Sequence, residues 1–261
     1  MSVSSEASLK PNKPLNDSLY LFSCRTSFDP LADESPRLLT NALVNIYVGE
    51  ENTHWILHER LLCYHSPFFR RLFYSPDFEA SKTKVYGLPD IDDKPFELFV
   101  GWLYSKAIKA PAAEKDVGPL LDLYLLGNKL EIEALGHEVV DLIRNFFHNE
   151  DTFPGLRRVQ YIYANTDEDN EMREMMVGSV ARYLTLGDAI PKHWENALKN
   201  NGQLSVDIIR TIQQWHLEGR SVPDVRDLSQ ERGREQVGFS KVEEGTSIKE
   251  EEAESVNGSH T

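Results

Sequence analysis

His137-Glu138-x-x-Asp141 is the arrangement in this chain closest to a catalytic pattern. Zinc peptidases place two histidines one helical turn apart, with a glutamate between them as general base. Here Asp141 stands where the second histidine would be. The same residues also read as the solvated face of a helix whose other side carries Leu135, Val139 and Leu142. His54 and His58 offer only a second, looser pair. The chain has two cysteines, Cys24 and Cys63, too few for a disulfide framework or a Cys₂His₂ zinc set. Cys63 and Ser66 are the candidate nucleophiles. Both fall on a hydrophobic helix, where a small packed residue is the plainer reading than an activated one. The sequence holds neither a Gly-x-Gly-x-x-Gly nor a Walker-type phosphate loop. No catalytic, metal or cofactor residue is assigned, and the chain reads as a non-enzyme. In the tail, Ile248-Lys249-Glu250-Glu251 resembles a SUMO-acceptor tetrapeptide, which makes Lys249 a modification candidate.

The elements that position these residues fall into two blocks. In the first, Val44, Ile46 and Val48 alternate on one face of a strand, Gly49–Thr53 supplies a turn, and His54–Leu57 returns, so the pair reads as a hairpin. Leu61, Leu62, Phe68, Phe69, Leu72 and Phe73 recur at helical spacing, with an interruption at Pro67. Lys84–Leu88 is a third strand candidate. Asp92 or Asp93 can cap the next helix, with Pro95 tolerated in its first turn and Phe96, Phe99, Val100 and Leu103 as its stripe. Leu120, Leu121, Tyr124 and Leu125 mark a fourth helix. Leu135, Val139, Leu142, Ile143 and Phe146 mark a fifth. The second block, about 152–218, reads as helical throughout and needs an apolar partner surface, which the first block can supply. Met172, Met175 and Met176 fit either core filling or an adaptable partner groove.

Residues 1–39 read as a disordered or irregular lead-in, in which Leu19-Tyr20-Leu21-Phe22 is a short strand or an anchor. Residues 219–261 read as a disordered acidic tail: acids outnumber bases there, and too little apolar surface is present to offset chain entropy. A net charge of −14 over 261 residues works against sequence-independent nucleic-acid binding, which relies on Lys and Arg displacing phosphate counterions. The N-terminus lacks the apolar stretch of a secretory signal, and charges break every apolar segment short of a membrane span. The expectation is a soluble intracellular protein, nuclear or cytoplasmic, with no membrane or nucleic-acid partner.

The first block resembles a BTB/POZ domain. The run His-x-x-x-Leu-x-x-x-Ser-x-x-Phe-x-x-x-Phe is present as His58, Leu62, Ser66, Phe69 and Phe73, followed by Leu88, Phe96, Trp102, Leu103 and Tyr104. Phrases such as Ser-Pro-Phe-Phe and Trp-Leu-Tyr are similar to the short BTB proteins common in fungi. The resemblance implies an α+β fold over residues 40–147, with a small sheet flanked by a helical cluster. Residues 152–218 would be an all-helical extension. It further implies a protein-interaction module, an adaptor or scaffold that recruits partners to a cullin-type ubiquitin ligase. The alternative is a structural subunit that self-associates with no ligase link. Many cullin-binding members carry hydrophobic-x-Glu-Ser-Lys; here Phe78-Glu79-Ala80-Ser81-Lys82 has Ala80 in place of the acid. Swapped dimers of the family have an amphipathic helix and an Asp before the first strand. Ser35–Ala42 is too short for that helix and Leu43 replaces the Asp, which leaves a homodimer of another geometry or a monomer. Physically, Phe69, Phe73, Phe96, Phe99 and Leu103 would form a seam closing helices over the sheet. Burial of each such side chain is worth roughly 1.5–3 kcal/mol. His58 would bond local backbone at a strand-to-helix junction, and Ser66 would bond backbone freed by Pro67. The docking edge would run over Leu72, Phe73, Phe78, Ser81 and Lys82, with Phe78 as anchor.

Overall fold

The computed structural model describes residues 37–219, 221–227 and 229. The expectations for Leu19–Phe22, Cys24 and Lys249 lie outside the described residues. Strand β1 (Leu43–Val48) pairs antiparallel with β2 (Thr53–His58), with Leu43 opposite His58 and Val48 opposite Thr53. The turn between them uses left-handed backbone at Gly49 (φ 73°) and Asn52 (φ 56°). Val44, Ile46 and Val48 are all fully buried, as the alternation requires. β3 (Val85–Leu88) lies parallel to β1 on its other side, so the sheet order is β2-β1-β3. Lys84, expected inside this strand, instead ends the short helix α3 (Glu79–Thr83) in a left-handed turn closed by its N–H to the Ala80 carbonyl (2.9 Å).

Between β2 and α3 run α1 (Glu59–His65) and α2 (Pro67–Tyr74). Pro67 breaks the apolar run into two helices because it cannot donate to the ladder, and it sits at the first position of α2, where no donor is needed. α4 (Asp93–Ser105) follows β3. Asp92 is at its N-cap but makes no side-chain cap bond. The Asp93 carboxylate instead accepts from the Thr53 hydroxyl at 2.7 Å, tying α4 to the start of β2. α5 (Val117–Lys129) and α6 (Glu133–Asn149) complete the first block.

The second block is helical, as expected: α7 (Leu156–Asn165), α8 (Glu171–Leu186), α9 (Lys192–Asn200) and α10 (Gly202–Leu217). Asn170 and Asn201 cap α8 and α10 through their side-chain oxygens. α8 is buried on most sides rather than along one stripe, since Met172, Met175, Met176, Val177, Val180 and Ala181 all lie inside. The buried cluster is continuous from Val44 to Trp215, so the two blocks share one core. Polar contacts reinforce the junction: Tyr161 donates to Asp122 (2.7 Å), and Arg158 donates to the Glu114 carbonyl (2.7 Å).

One expectation fails in the tail. Residues 222–227 pack as a strap, with a turn at Val225 and Arg226, rather than standing in solvent. Arg226 is 3 % exposed and donates to the carbonyls of Phe147 (3.2 Å) and Thr152 (2.7 Å), with Asp224 at 2.9 Å and the Phe153 ring 4.1 Å from its guanidinium carbon. Val225 fills the space over Gly178, where an added Cβ would meet it at 2.9 Å. Arg226, with six hydrogen bonds to Phe147, Asp151, Thr152 and Asp224, outweighs the polar composition around it.

Candidate protein-docking surface

Most residues that make the first block recognisable are interior. Leu62, Phe69, Phe73, Leu88, Phe96 and Leu103 are buried, and Phe69 stacks on Phe73 with ring centres 5.9 Å apart. Phe96 meets Phe99 edge-on at 5.5 Å and Trp55 at 5.7 Å. These rings close α1, α2 and α4 over one face of the sheet, with no polar cleft between them. Ser66 is fully buried and holds two elements together. Its hydroxyl accepts from the Phe69 N–H (3.1 Å), capping α2, and donates to the Leu130 carbonyl (2.7 Å) at the end of α5. His58 departs from the expected local bonding. Its Nδ1 lies 2.8 Å from the Tyr104 hydroxyl, which also accepts from the His58 N–H (3.2 Å), so this pair ties β2 to α4.

The expected docking edge divides into floor and rim. Leu72 and Phe73 are 4 % and 1 % exposed and point into the core, so they support the surface and do not form it. Phe78 is half-buried at the N-cap of α3, packed against the core with one side open. Ser81 spends its hydroxyl on the Phe78 carbonyl (2.8 Å), which stiffens this turn and removes Ser81 as a free contact group. Lys82 is exposed, as are Pro76, Asp77 and Glu79 around it. Ala80, where the resemblance would place an acid, is buried. A carboxylate at this buried position would lose its water, so alanine fits the packing. The rim is anchored below by a part-buried pair that sequence spacing did not reveal. The Lys84 ammonium reaches the Glu59 carboxylate (2.7 Å) and the Phe73 carbonyl (3.1 Å), fastening the end of α3 to α1 and α2.

The groups with chemical potential are dispersed. His137 pairs with Glu171 on α8 (2.7 Å), while Glu138 accepts from the Trp102 indole (2.8 Å), so the two neighbours face different elements. Among the described residues, no group of three or more His, Cys, Asp or Glu side chains could hold a metal ion. Cys63 is fully buried. Burial, helped by the charge of Glu59, pushes its thiol up to about 12, so it holds its proton and makes a poor nucleophile. Met172, Met175 and Met176 are core, which removes them as a partner groove. No described helix is long and apolar enough to cross a membrane.

The family of BTB/POZ domains matches residues 39–146. A BTB/POZ domain-containing protein of Arabidopsis thaliana is 24 % identical over 162 residues, covering 62 % of this chain and 73 % of that protein. Among solved structures, the BTB domain of human gigaxonin is similar at 15 % identity, over 37 % of this chain and 72 % of that one, with a TM-score of 0.30. Residues 39–146 are a BTB/POZ domain, built as a small mixed sheet with a helical majority and followed by further helices. This is a protein-interaction fold, and protein binding is the activity it supports.

Proposed function

We propose that this protein is an adaptor or scaffold that docks a partner on the rim formed by Phe78 and α3, and that the partner class includes a cullin-type ubiquitin-ligase scaffold. The observation that carries this reading is Phe78: an aromatic ring half-buried at the edge of the core, ringed by exposed Asp77, Glu79 and Lys82. An aromatic held in place by its own fold loses little side-chain freedom on binding, and such residues dominate interface energies. The exposed acids Asp77 and Glu79 supply the negative charge that Ala80 lacks. An intracellular location accompanies this reading.

Affinity purification of the full chain, with Phe78→Ala and Lys82→Glu compared against wild type, tests it. Phe78→Ala is expected to cut partner recovery by about tenfold or more, with a stability loss of only about 1 kcal/mol. Lys82→Glu, which touches no core residue, should weaken recovery without moving the Tm. Recovery of the cullin scaffold unchanged in both variants would overturn the rim as the docking surface. A chain that retains no cullin and self-associates in light scattering would favour a structural subunit instead.

A further inference from the structure

The groove beneath the strap meets three successive residues with three different chemistries. Asp224 faces Arg182 Nε on α8 (3.5 Å) and His148 Nδ1 near the end of α6 (3.9 Å). Val225 lies on Gly178, where an added Cβ would meet its methyl carbons at 2.9 and 3.0 Å, so glycine is what leaves this notch. Arg226 enters a cup made by the Phe147 and Thr152 carbonyls, the Asp151 carboxylate and the Phe153 ring. Acid, aliphatic and base along the strap thus meet cation, notch and anion along the groove. Arg182 also donates to the Val222 carbonyl (2.7 Å), which fixes the strap's backbone.

The cup is built without help from the strap. The Asp151 N–H donates to the His148 carbonyl (3.2 Å) and the Thr152 N–H to the Phe147 carbonyl (3.0 Å), with Asp151 in left-handed backbone (φ 45°). Tyr183 holds the Phe153 ring at 5.2 Å. Carbonyls in the last turn of a helix carry partial negative charge and take a cation readily. The ligand side is equally local. The Asp224 carboxylate accepts from the Arg226 N–H (3.0 Å) and the Asp224 carbonyl from the Asp227 N–H (3.1 Å), so Asp-Val-Arg-Asp is a turn that stands on its own bonds.

Val225 is also one wall of a cavity of about 280 Å³, whose other walls include Arg144, Met175, Gln214 and Trp215. A longer apolar side chain in place of this valine would extend into it. We propose that the groove is a docking site for a turn-forming segment of a partner protein, and that the strap is its resident competitor. The segment carries Asp, an apolar residue of leucine size or larger, and Arg in succession. Tethering gives the strap an effective concentration of about millimolar. The partner offsets that advantage by burying more apolar surface between Met175 and Trp215. This surface uses α6, α8 and α10, and is separate from the Phe78 rim on α3.

Fluorescence anisotropy on the full-length chain tests this, with a labelled hexapeptide of the sequence Val222–Asp227. Arg226→Met loosens the strap and should bind the peptide about tenfold or more tightly than wild type does. A peptide carrying Val225→Leu should bind that variant more tightly still, and one carrying Arg226→Ala about tenfold less tightly. A second readout needs no protein variant. Saturating Val225→Leu peptide should displace the strap of wild type and speed hydrogen exchange at its Val225 and Asp227 amides. Equal or undetectable binding to wild type and Arg226→Met overturns the proposal, as does failure to distinguish the three peptides. Exchange in wild type that ignores saturating peptide overturns it too. A wild-type mass that doubles with concentration and falls when peptide is added would seat the strap of a second copy in the groove, and overturns it as well.

Discussion

Between β1 and α6, the core is closed by rings that lie near one another in sequence, Phe69 on Phe73 and Phe96 on Phe99. Between α7 and α10, the last gap is filled from far along the chain. Arg226 reaches carbonyls 79 and 74 residues away, at Phe147 and Thr152. The first arrangement is apolar, local and carried by α2 and α4. The second is a charged side chain on a non-helical strap, held by hydrogen bonds. The difference teaches that composition predicts burial well for hydrophobic seams and poorly for a latch, because a latch needs only one residue.

The largest effect should come from opening the seam. Phe69→Ala removes a fully buried ring that contacts both Phe68 and Phe73, and is expected to cost about 3–5 kcal/mol of global stability. Chemical denaturation read by circular dichroism measures it. Arg226→Met should cost less, about 2 kcal/mol, because the loss of its hydrogen bonds is partly met by local opening of the strap. Exchange of the Val225 and Asp227 amides should rise while those of β1 do not change. If Arg226→Met lowers global stability as much as Phe69→Ala, the contrast between seam and latch fails, and the strap belongs to the folding core.

Legibility followed the same division. The alternation of Val44, Ile46 and Val48 marked β1 and its buried face, and the spacing around Pro67 located the break between α1 and α2. The seam residues could be read because burial of large aromatics leaves a periodic trace. The role of His58 could not, since its partner Tyr104 is 46 residues away and either residue alone reads as a surface group. The sequence draws the docking edge too broadly for a related reason. Leu72 and Phe73 share the helical stripe of the core, and only coordinates separate them from Phe78, which stands at the stripe's border. The parallel placement of β3 depends on α1, α2 and α3 carrying the chain back across the sheet, which no local pattern encodes. Ala80 is instructive in the other direction: its departure from the family pattern was visible, and its burial supplies the physical reason.

The smallest expected effect is a pH dependence confined to the first block. His65 ends α1 with its ring edge-on to Trp102 at 5.5 Å and to Tyr64 at 4.8 Å, and its Nε2 is buried with no hydrogen-bond partner. Burial, and then the positive charge of Lys106, push its pKa down to about 4. The unfolded chain takes up this proton near pH 6.5, whereas the folded protein refuses it until about pH 4. Acid therefore favours the unfolded state across that window: the stability contribution is complete above about pH 6.5 and declines as pH falls toward 4. The ring is partly open to solvent, so the decline should be on the order of 1 kcal/mol. His65→Phe keeps a ring against Trp102 and removes the titration. The difference in unfolding free energy between wild type and His65→Phe should thus change between pH 7 and pH 4. A difference that is flat across this range would mean that the imidazole is solvated in the folded protein and that the seam is looser at its α1–α4 end than at Phe69.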